Sequence, residues 1–395
     1  MFEHIVLRRA EAGSPITAGM LAQALLFYQK VHLVIDRPTL LHLVSQIGIS
    51  QLIALTRRAD FSAVYTEEML ATMTNSVGPM QVHDYGAMIV SGDQKAGTLK
   101  SPEDRLRFEL ERSGLARSEA KAFASAFLRT VPVRKLSGDH FIKGGIPNAA
   151  RSDLQDTGFI EAAIRRLLPL LPGGYDPGDA LELKVVATDL GHYVFSNIDL
   201  HAINVRRAAM SPPVEPLTMA FLLSQIQDAR ADLALAAHYG GDFASSAATS
   251  AVVQLRHDVL LQRTRANLAS QRRFEEIALP DMPAVAEVVD SGERSFDEFL
   301  RLLDRSERFK RWVKSANPDE GLARQYMLAV SSQDWIQTTR VKVIRYMFTL
   351  AADATHPIAG LAAGFADAFL MEKLFGGWRP NHFVEARMTP FLIGK

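Results

Sequence analysis

The hydrophobic pattern changes along the chain, and this change restricts the fold more than any other feature. The first ninety residues alternate: EHIVLRR and KVHLVID have the composition of strands, and TAGMLAQALLFYQ between them has helical apolar spacing. Strands separated by helices favour a mixed or partly parallel sheet. From Leu217 onward the pattern is almost entirely helical. The sequence therefore predicts an α+β fold with a small N-terminal mixed α/β unit, a β-containing middle region and a predominantly helical C-terminal domain.

Polar and proline-rich breaks suggest where the domains divide. A chain of 395 residues is long enough for two or three domains. SGDQKAGTLK has the composition of a linker, and SPPVEP interrupts the chain before Leu217. We predict a mixed α/β domain over 1–92 and helices plus a β-rich hairpin region over 93–215. A helical domain over 216–395 would end in a Gly/Ala-rich helix and a cover containing Trp and Pro.

Composition excludes several classes of protein. Lys plus Arg and Asp plus Glu number 44 each, which argues against a dedicated nucleic-acid coat. Cysteine is absent, so disulfides, cysteine nucleophiles and thiolate metal sites are excluded. The start of the sequence has no apolar signal core, and no long uncharged apolar run predicts a membrane span. We therefore expect a soluble, cytoplasmic protein. No nucleophile-elbow, phosphate-loop or zinc-protease motif occurs, which leaves enzymatic activity undetermined.

One segment has the residue types of a metal site. TDLGHYVFSNIDLH gathers carboxylates and imidazoles in β-rich sequence, namely Asp189, His192, Asp199 and His201. These donors suit zinc, manganese or iron, and a hairpin could bring its two ends together. The spacing matches no known metal signature, and a plain polar hairpin is the alternative. The sequence predicts no cofactor, although these four residues could bind a divalent metal ion.

A basic helix offers a second kind of site. RSERFKRWVK, residues 305–314, interleaves cations with Phe309 and Trp312, and such a mixture can hold phosphates while the rings stack on bases. The candidate contacts are Arg308, Lys310, Arg311 and Lys314. The two rings also fall at i and i+3 on a helix, so a core-facing aromatic pair with a solvated basic face is the favoured interpretation. Nucleic acid is therefore the less favoured partner.

The segment 356–377 predicts a helix with two different faces. Small side chains and one carboxylate share a face that could approach a neighbouring helix or subunit closely, namely Gly360, Ala363, Gly364 and Asp367. Three charges inside the helix oppose a membrane span, since each costs roughly 2.5–3.5 kcal/mol near a bilayer centre. We expect this groove to be a surface for protein interaction, and no membrane contact in the resting state.

These features rank three hypotheses. The leading one is a cytoplasmic binding protein, a regulatory, scaffold or effector subunit that self-associates through its helical half, with a protein partner or its own copies. The second is a metal-dependent hydrolase or nuclease that uses the Asp/His cluster. The third is an effector whose C-terminal helices insert into a membrane when triggered.

Overall fold

The structure is a computed structural model, which describes residues 2–10, 13–78, 80–89, 99–177, 181–244, 246–317, 321–330 and 378–394. The chain forms two compact units. Unit 1 comprises Met1–Glu3, Thr17–Gln29 and Arg265–Lys395, and unit 2 comprises His4–Ile16 and Lys30–Thr264. The α+β class with a helical C-terminal region is confirmed. The three-domain division expected from the sequence stays a prediction.

A parallel sheet in unit 2 is built from the early β-branched runs. Its strands are β1 (His4–Arg8), β2 (Lys30–Ile35), β3 (Phe61–Tyr65) and β8 (Asp242–Phe243), in the order β3-β2-β1-β8. All three neighbouring pairs are parallel, as the alternation of strands and helices predicted. The chain leaves β1 toward β2 on one side, whereas β8 joins β1 on the other. The strand order therefore reverses at β1.

A second sheet in unit 2 is antiparallel. Its strands are β4 (Glu68–Val77), β5 (Met80–Ile89), β6 (Leu183–Thr188) and β7 (Gly191–Ser196), in the order β4-β5-β7-β6. Gly191 has φ 135°, and a Cβ there would lie 2.6 Å from the carbonyl oxygen of His83. Glycine is thus required where β7 begins beside β5.

Most helices of unit 2 begin at a residue whose side chain caps the first turn. Ser101 caps α3 (Pro102–Arg112) with Pro102 in the first turn, because the Ser101 hydroxyl accepts a hydrogen bond from the Asp104 amide. The helices are α2 (Arg37–Thr56), α3 (Pro102–Arg112), α4 (Arg117–Thr130), α5 (Gly145–Leu154), α6 (Thr157–Leu167), α7 (Leu200–Ala208) and α8 (Met219–Tyr239).

One described helix, α2, is long and apolar enough to pass as a membrane span, a property that core helices of soluble proteins share. Its backbone is interrupted at Gly48, which has φ 79° and ψ 162°. Each continuous part is therefore shorter than the roughly 20 residues that a helix needs to cross a bilayer.

The sequence IDLHAINV, expected to continue the β-rich region, is helical instead. The Asp199 carboxylate accepts a hydrogen bond from the Ala202 amide at 2.8 Å and so caps α7. Aspartate at this position offers the backbone a helix start, which outweighs the weak strand preference of the short apolar run that follows. The expected β-rich segment is therefore two strands followed by a helix.

Unit 1 is helical and has an aromatic core. Its helices are α1 (Ala18–Phe27), α10 (Val285–Asp290), α11 (Phe296–Asp304), α12 (Glu307–Ser315), α13 (Leu322–Val330), α14 (Pro380–Phe383) and α15 (Thr389–Ile393), with a π-helical turn at Val384–Met388. The long helix α9 (Ala247–Ala278) belongs to unit 2 up to Thr264 and to unit 1 from Arg265. Ring contacts join Phe27, Phe274, Phe309, Trp312, Tyr326 and Phe383.

Candidate functional site

The structure does not gather the four predicted metal ligands. Asp189 is exposed in the turn between β6 and β7, and Asp199 and His201 are exposed at the start of α7. His192 is buried on β7, where it lies opposite His83 of β5. Among the described residues, no group of three or more His, Asp or Glu side chains is placed to hold a metal ion. The metal-dependent hydrolase hypothesis therefore has no support from the geometry of this segment.

The basic helix exposes three of its four candidate cations and buries both of its aromatic rings. Phe309 and Trp312 are 0% and 3% exposed within the aromatic core of unit 1, so neither ring is free to stack on a base. Lys310 is also buried, and its carbonyl oxygen accepts a hydrogen bond from Gln29 at 2.7 Å. Arg308, Arg311 and Lys314 are exposed, and Arg311 pairs with Glu307 at 3.4 Å. This geometry favours a core-facing aromatic pair over nucleic-acid contact.

The groove predicted on the C-terminal helix, at Gly360, Ala363, Gly364 and Asp367, lies outside the described residues.

The described chain has another surface that suits a partner, the outer face of the antiparallel sheet. The pairing register places large apolar side chains of all four strands on one side, namely Met69, Met73, Val77, Met80, Met88, Val186, Tyr193 and Phe195. Met73 is 38% exposed, Met88 42% and Phe195 48%. Leu70, Tyr85 and Leu183 point to the opposite side and are part of the unit 2 core. Contiguous exposed apolar side chains of this kind mark interaction surfaces.

Methionine dominates the outer face, and charge is nearly absent from it. Unbranched, polarisable methionine side chains adapt to irregular partners and are frequent at binding surfaces. Ionisable side chains of the strands on this side are Asp84 and Lys184, and Asp84 is already paired with Arg151 at 2.7 Å. The surface can therefore contact another apolar surface with little cost from charge desolvation.

A buried ionic cluster lies at the carboxyl end of β1. Arg8 donates to Asp228 at 2.6 Å and to Asp232 at 3.1 Å, and both carboxylates lie on α8. All three side chains are buried. Burial raises the pKa of Asp232 to about 7; Arg8 and Thr249 oppose the rise, and the Asp228 carboxylate adds to it. Asp232 can thus exchange a proton near neutral pH.

A second ionic pair lies beside this cluster. Arg9 donates to Asp36 at 2.6 Å and to the Gly13 carbonyl oxygen at 3.0 Å. The Asp36 carboxylate also accepts from the Thr39 amide and so caps α2. In open parallel sheets, ligands bind outside the carboxyl ends of the strands where the strand order reverses. Here that position is filled by side chains that bind one another.

These features were missed from the sequence for identifiable reasons. Met73, Met80 and Met88 share a face only in the observed register, because a shift of one residue would send each to the core. Asp228 and Asp232 carried a usable signal: two acids at i, i+4 inside the largely apolar run of α8 indicate a buried partner of opposite charge. That the partner is Arg8, 220 residues away, follows only from the fold.

No protein family model, no curated protein and no solved structure matches the chain. Any function has to be argued from the residues described above.

Proposed function

We propose that the protein acts by binding, as a regulatory, scaffold or effector subunit that associates with a second copy of itself through the outer face of the antiparallel sheet. The observation that carries this proposal is the set of exposed Met, Val and Phe side chains that the pairing register places on that face. Self-association through the groove at Gly360 and Gly364 remains a separate, sequence-based part of the proposal. The cytoplasm, expected from the sequence, is the compartment that belongs to this proposal.

A second copy suits this surface because of its charge and its size. An apolar face with few ionisable groups is complementary to itself, so two copies related by a twofold axis meet without like-charge repulsion. Strands β4 and β5 have 10 residues each. With a rise of about 3.4 Å per residue along a strand and about 4.8 Å between neighbouring strands, the four-stranded face covers on the order of 500 Å². Two copies would bury about 1,000 Å², the lower limit for a specific interface. We therefore expect a weak dimer whose formation depends on protein concentration.

Light scattering after size exclusion tests the proposal. The double variant Met80→Glu, Met88→Glu places two charges on the face, and we expect it to remain monomeric where the wild-type chain dimerises. The matched control is Leu190→Glu, Val205→Glu, which changes two apolar side chains in a turn and on α7 that are more exposed than the methionines. The control should dimerise like the wild type.

The outcomes separate the two routes of association. A wild-type chain that stays monomeric at high concentration would refute self-association altogether. A dimer that tolerates the methionine variant and is lost in Gly360→Leu, Gly364→Leu would assign the interface to the C-terminal groove instead.

A further inference from the structure

Two histidines lie close together near the amino ends of β1 and β2, on the face of the parallel sheet that α8 covers. The register pairs His32 with Val6, so His4 is two positions away diagonally on the same face. His32 also pairs in register with Ser62 of β3. Tyr239, at the end of α8, stacks on the His32 ring with 3.5 Å between ring centroids. The two imidazoles and the phenol thus form one cluster within unit 2.

Hydrogen bonds fix the orientation of both imidazoles. His4 Nδ1 lies 3.0 Å from the carbonyl oxygen of Gly240. Because a carbonyl oxygen can only accept, Nδ1 carries the proton and Nε2 presents a lone pair. His32 Nδ1 lies 2.8 Å from the Ser62 hydroxyl. A backbone carbonyl or similar group on the far nitrogen is the usual support for a metal-binding imidazole.

The other polar atoms of the cluster are buried without partners. His4 Nε2, His32 Nε2 and the Tyr239 hydroxyl have no hydrogen-bond partner among the described residues. The His32 residue is 4% exposed. Buried polar groups are normally paired, so three orphan atoms in one cluster point to a bound species that contacts them.

We propose that His4 and His32 bind one divalent transition-metal ion of the zinc class through their Nε2 atoms, with the Tyr239 hydroxyl as a neighbouring oxygen donor. Imidazole nitrogen suits zinc, nickel, cobalt and copper ions. The donor set of two imidazoles and a phenol differs from the larger His/Asp/Glu groups that the described chain lacks. Two opposite charges, Lys30 and Asp242, interact electrostatically with His4, and Asp242 also pairs with Arg263 at 3.2 Å.

Equilibrium dialysis of the full, untagged chain against Zn²⁺ or Co²⁺, with metal analysis, tests the proposal. We expect one bound ion per chain after prior removal of metals with a chelator. His4→Ala and His32→Gln should each weaken binding at least tenfold. Ser62→Ala removes only a supporting hydrogen bond and should weaken binding about 10- to 100-fold, the usual effect of such a partner. Circular dichroism in chelator confirms that each variant is folded.

His201→Ala is the matched control, since it removes an exposed histidine from α7. This variant should bind the ion like the wild type. Absence of a stoichiometric ion in the wild-type chain would overturn the proposal. Binding that survives His4→Ala and disappears in His201→Ala would assign the ion to the Asp189–His201 segment, and would overturn it as well. If His32→Gln fails to fold, His4→Ala and Ser62→Ala still decide the question, because both lie at less buried positions.

Discussion

The Asp232 carboxyl should make the stability of unit 2 depend on pH, and Asp232→Asn should remove that dependence. The pKa of Asp232 is about 7 in the fold, against an ordinary value of 3.8. The folded state therefore binds the proton more tightly than the unfolded state. This contribution to stability is complete below pH 3.8 and is lost as pH rises through 7.

The size of the effect follows from the two pKa values. Stability changes by about 1.4 kcal/mol per pH unit while the folded state holds the proton and the unfolded state does not. Between pH 5 and pH 8 this condition holds over about two pH units. The titration of Asp232 should therefore lower the unfolding free energy of the wild type by about 2.5 kcal/mol over this range. An asparagine has no proton to lose. The unfolding free energy of Asp232→Asn minus that of the wild type should therefore rise by about 2.5 kcal/mol over this range.

Urea unfolding followed by far-ultraviolet circular dichroism, at several pH values, measures this difference. The difference between variant and wild type isolates Asp232, because every other titrating group is common to both chains. Asp228→Asn is an informative companion. It removes the carboxylate that raises the pKa of Asp232, so the wild-type pH dependence should shrink. Parallel pH profiles for Asp232→Asn and the wild type would refute the reasoning.

Further predictions concern other buried groups, each measured by urea unfolding. Arg8→Met removes the cation that faces two buried carboxylates and should cost about 3–5 kcal/mol at pH 8, with a steeper pH dependence. Phe309→Ala removes a buried ring and should cost about 3–5 kcal/mol of unfolding free energy, whereas Arg308→Ala, at an exposed position, should change it by less than about 0.5 kcal/mol. Equal effects would contradict the placement of Phe309 in the aromatic core of unit 1. Burial raises the pKa of Glu275 to about 7, so Glu275→Gln should gain stability over the wild type as pH rises from 5 to 8. Tryptophan fluorescence reports this unfolding, since Trp312 is buried in unit 1. Gly191→Ala should cost about 1–3 kcal/mol, because its Cβ would meet the His83 carbonyl oxygen.

The local elements could be predicted from the sequence because their signals are local. β-Branched runs gave β1 and β2, and the Ser101-Pro102 pair gave the start of α3. Gly48 is a residue type that ends helices, and the backbone of α2 departs from helical geometry there. α7 was missed because the apolar spacing of IDLHAINV is too short to distinguish a strand from a helix. The Asp199 cap, present in the sequence, was the signal that could have corrected this.

The arrangement of the sites could not be predicted, since it depends on which strand lies beside which. His32 lies in the apolar run that forms β2, and its hydrogen-bond partner Ser62 belongs to β3. Nothing near His32 in sequence indicates that His4 shares its face or that Tyr239 stacks on it. Proximity in sequence misled in the opposite direction at Asp189 and His201, which are close along the chain but lie on a turn and a helix.

Helix α8 explains how one element can serve both ends of the parallel sheet. Asp228, Asp232, Leu235 and Tyr239 are separated by 4, 3 and 4 positions, so they share one face of the helix. Asp228 and Asp232 contact Arg8 at the carboxyl end of β1. Tyr239 stacks on His32, which lies toward the amino end of the neighbouring strand β2. The helix therefore runs antiparallel to the strand. A change in the tilt of α8 would alter the ionic cluster and the histidine cluster together. Metal binding at His4 and His32 should consequently be weaker in Arg8→Met, although Arg8 lies at the opposite end of β1 from His4.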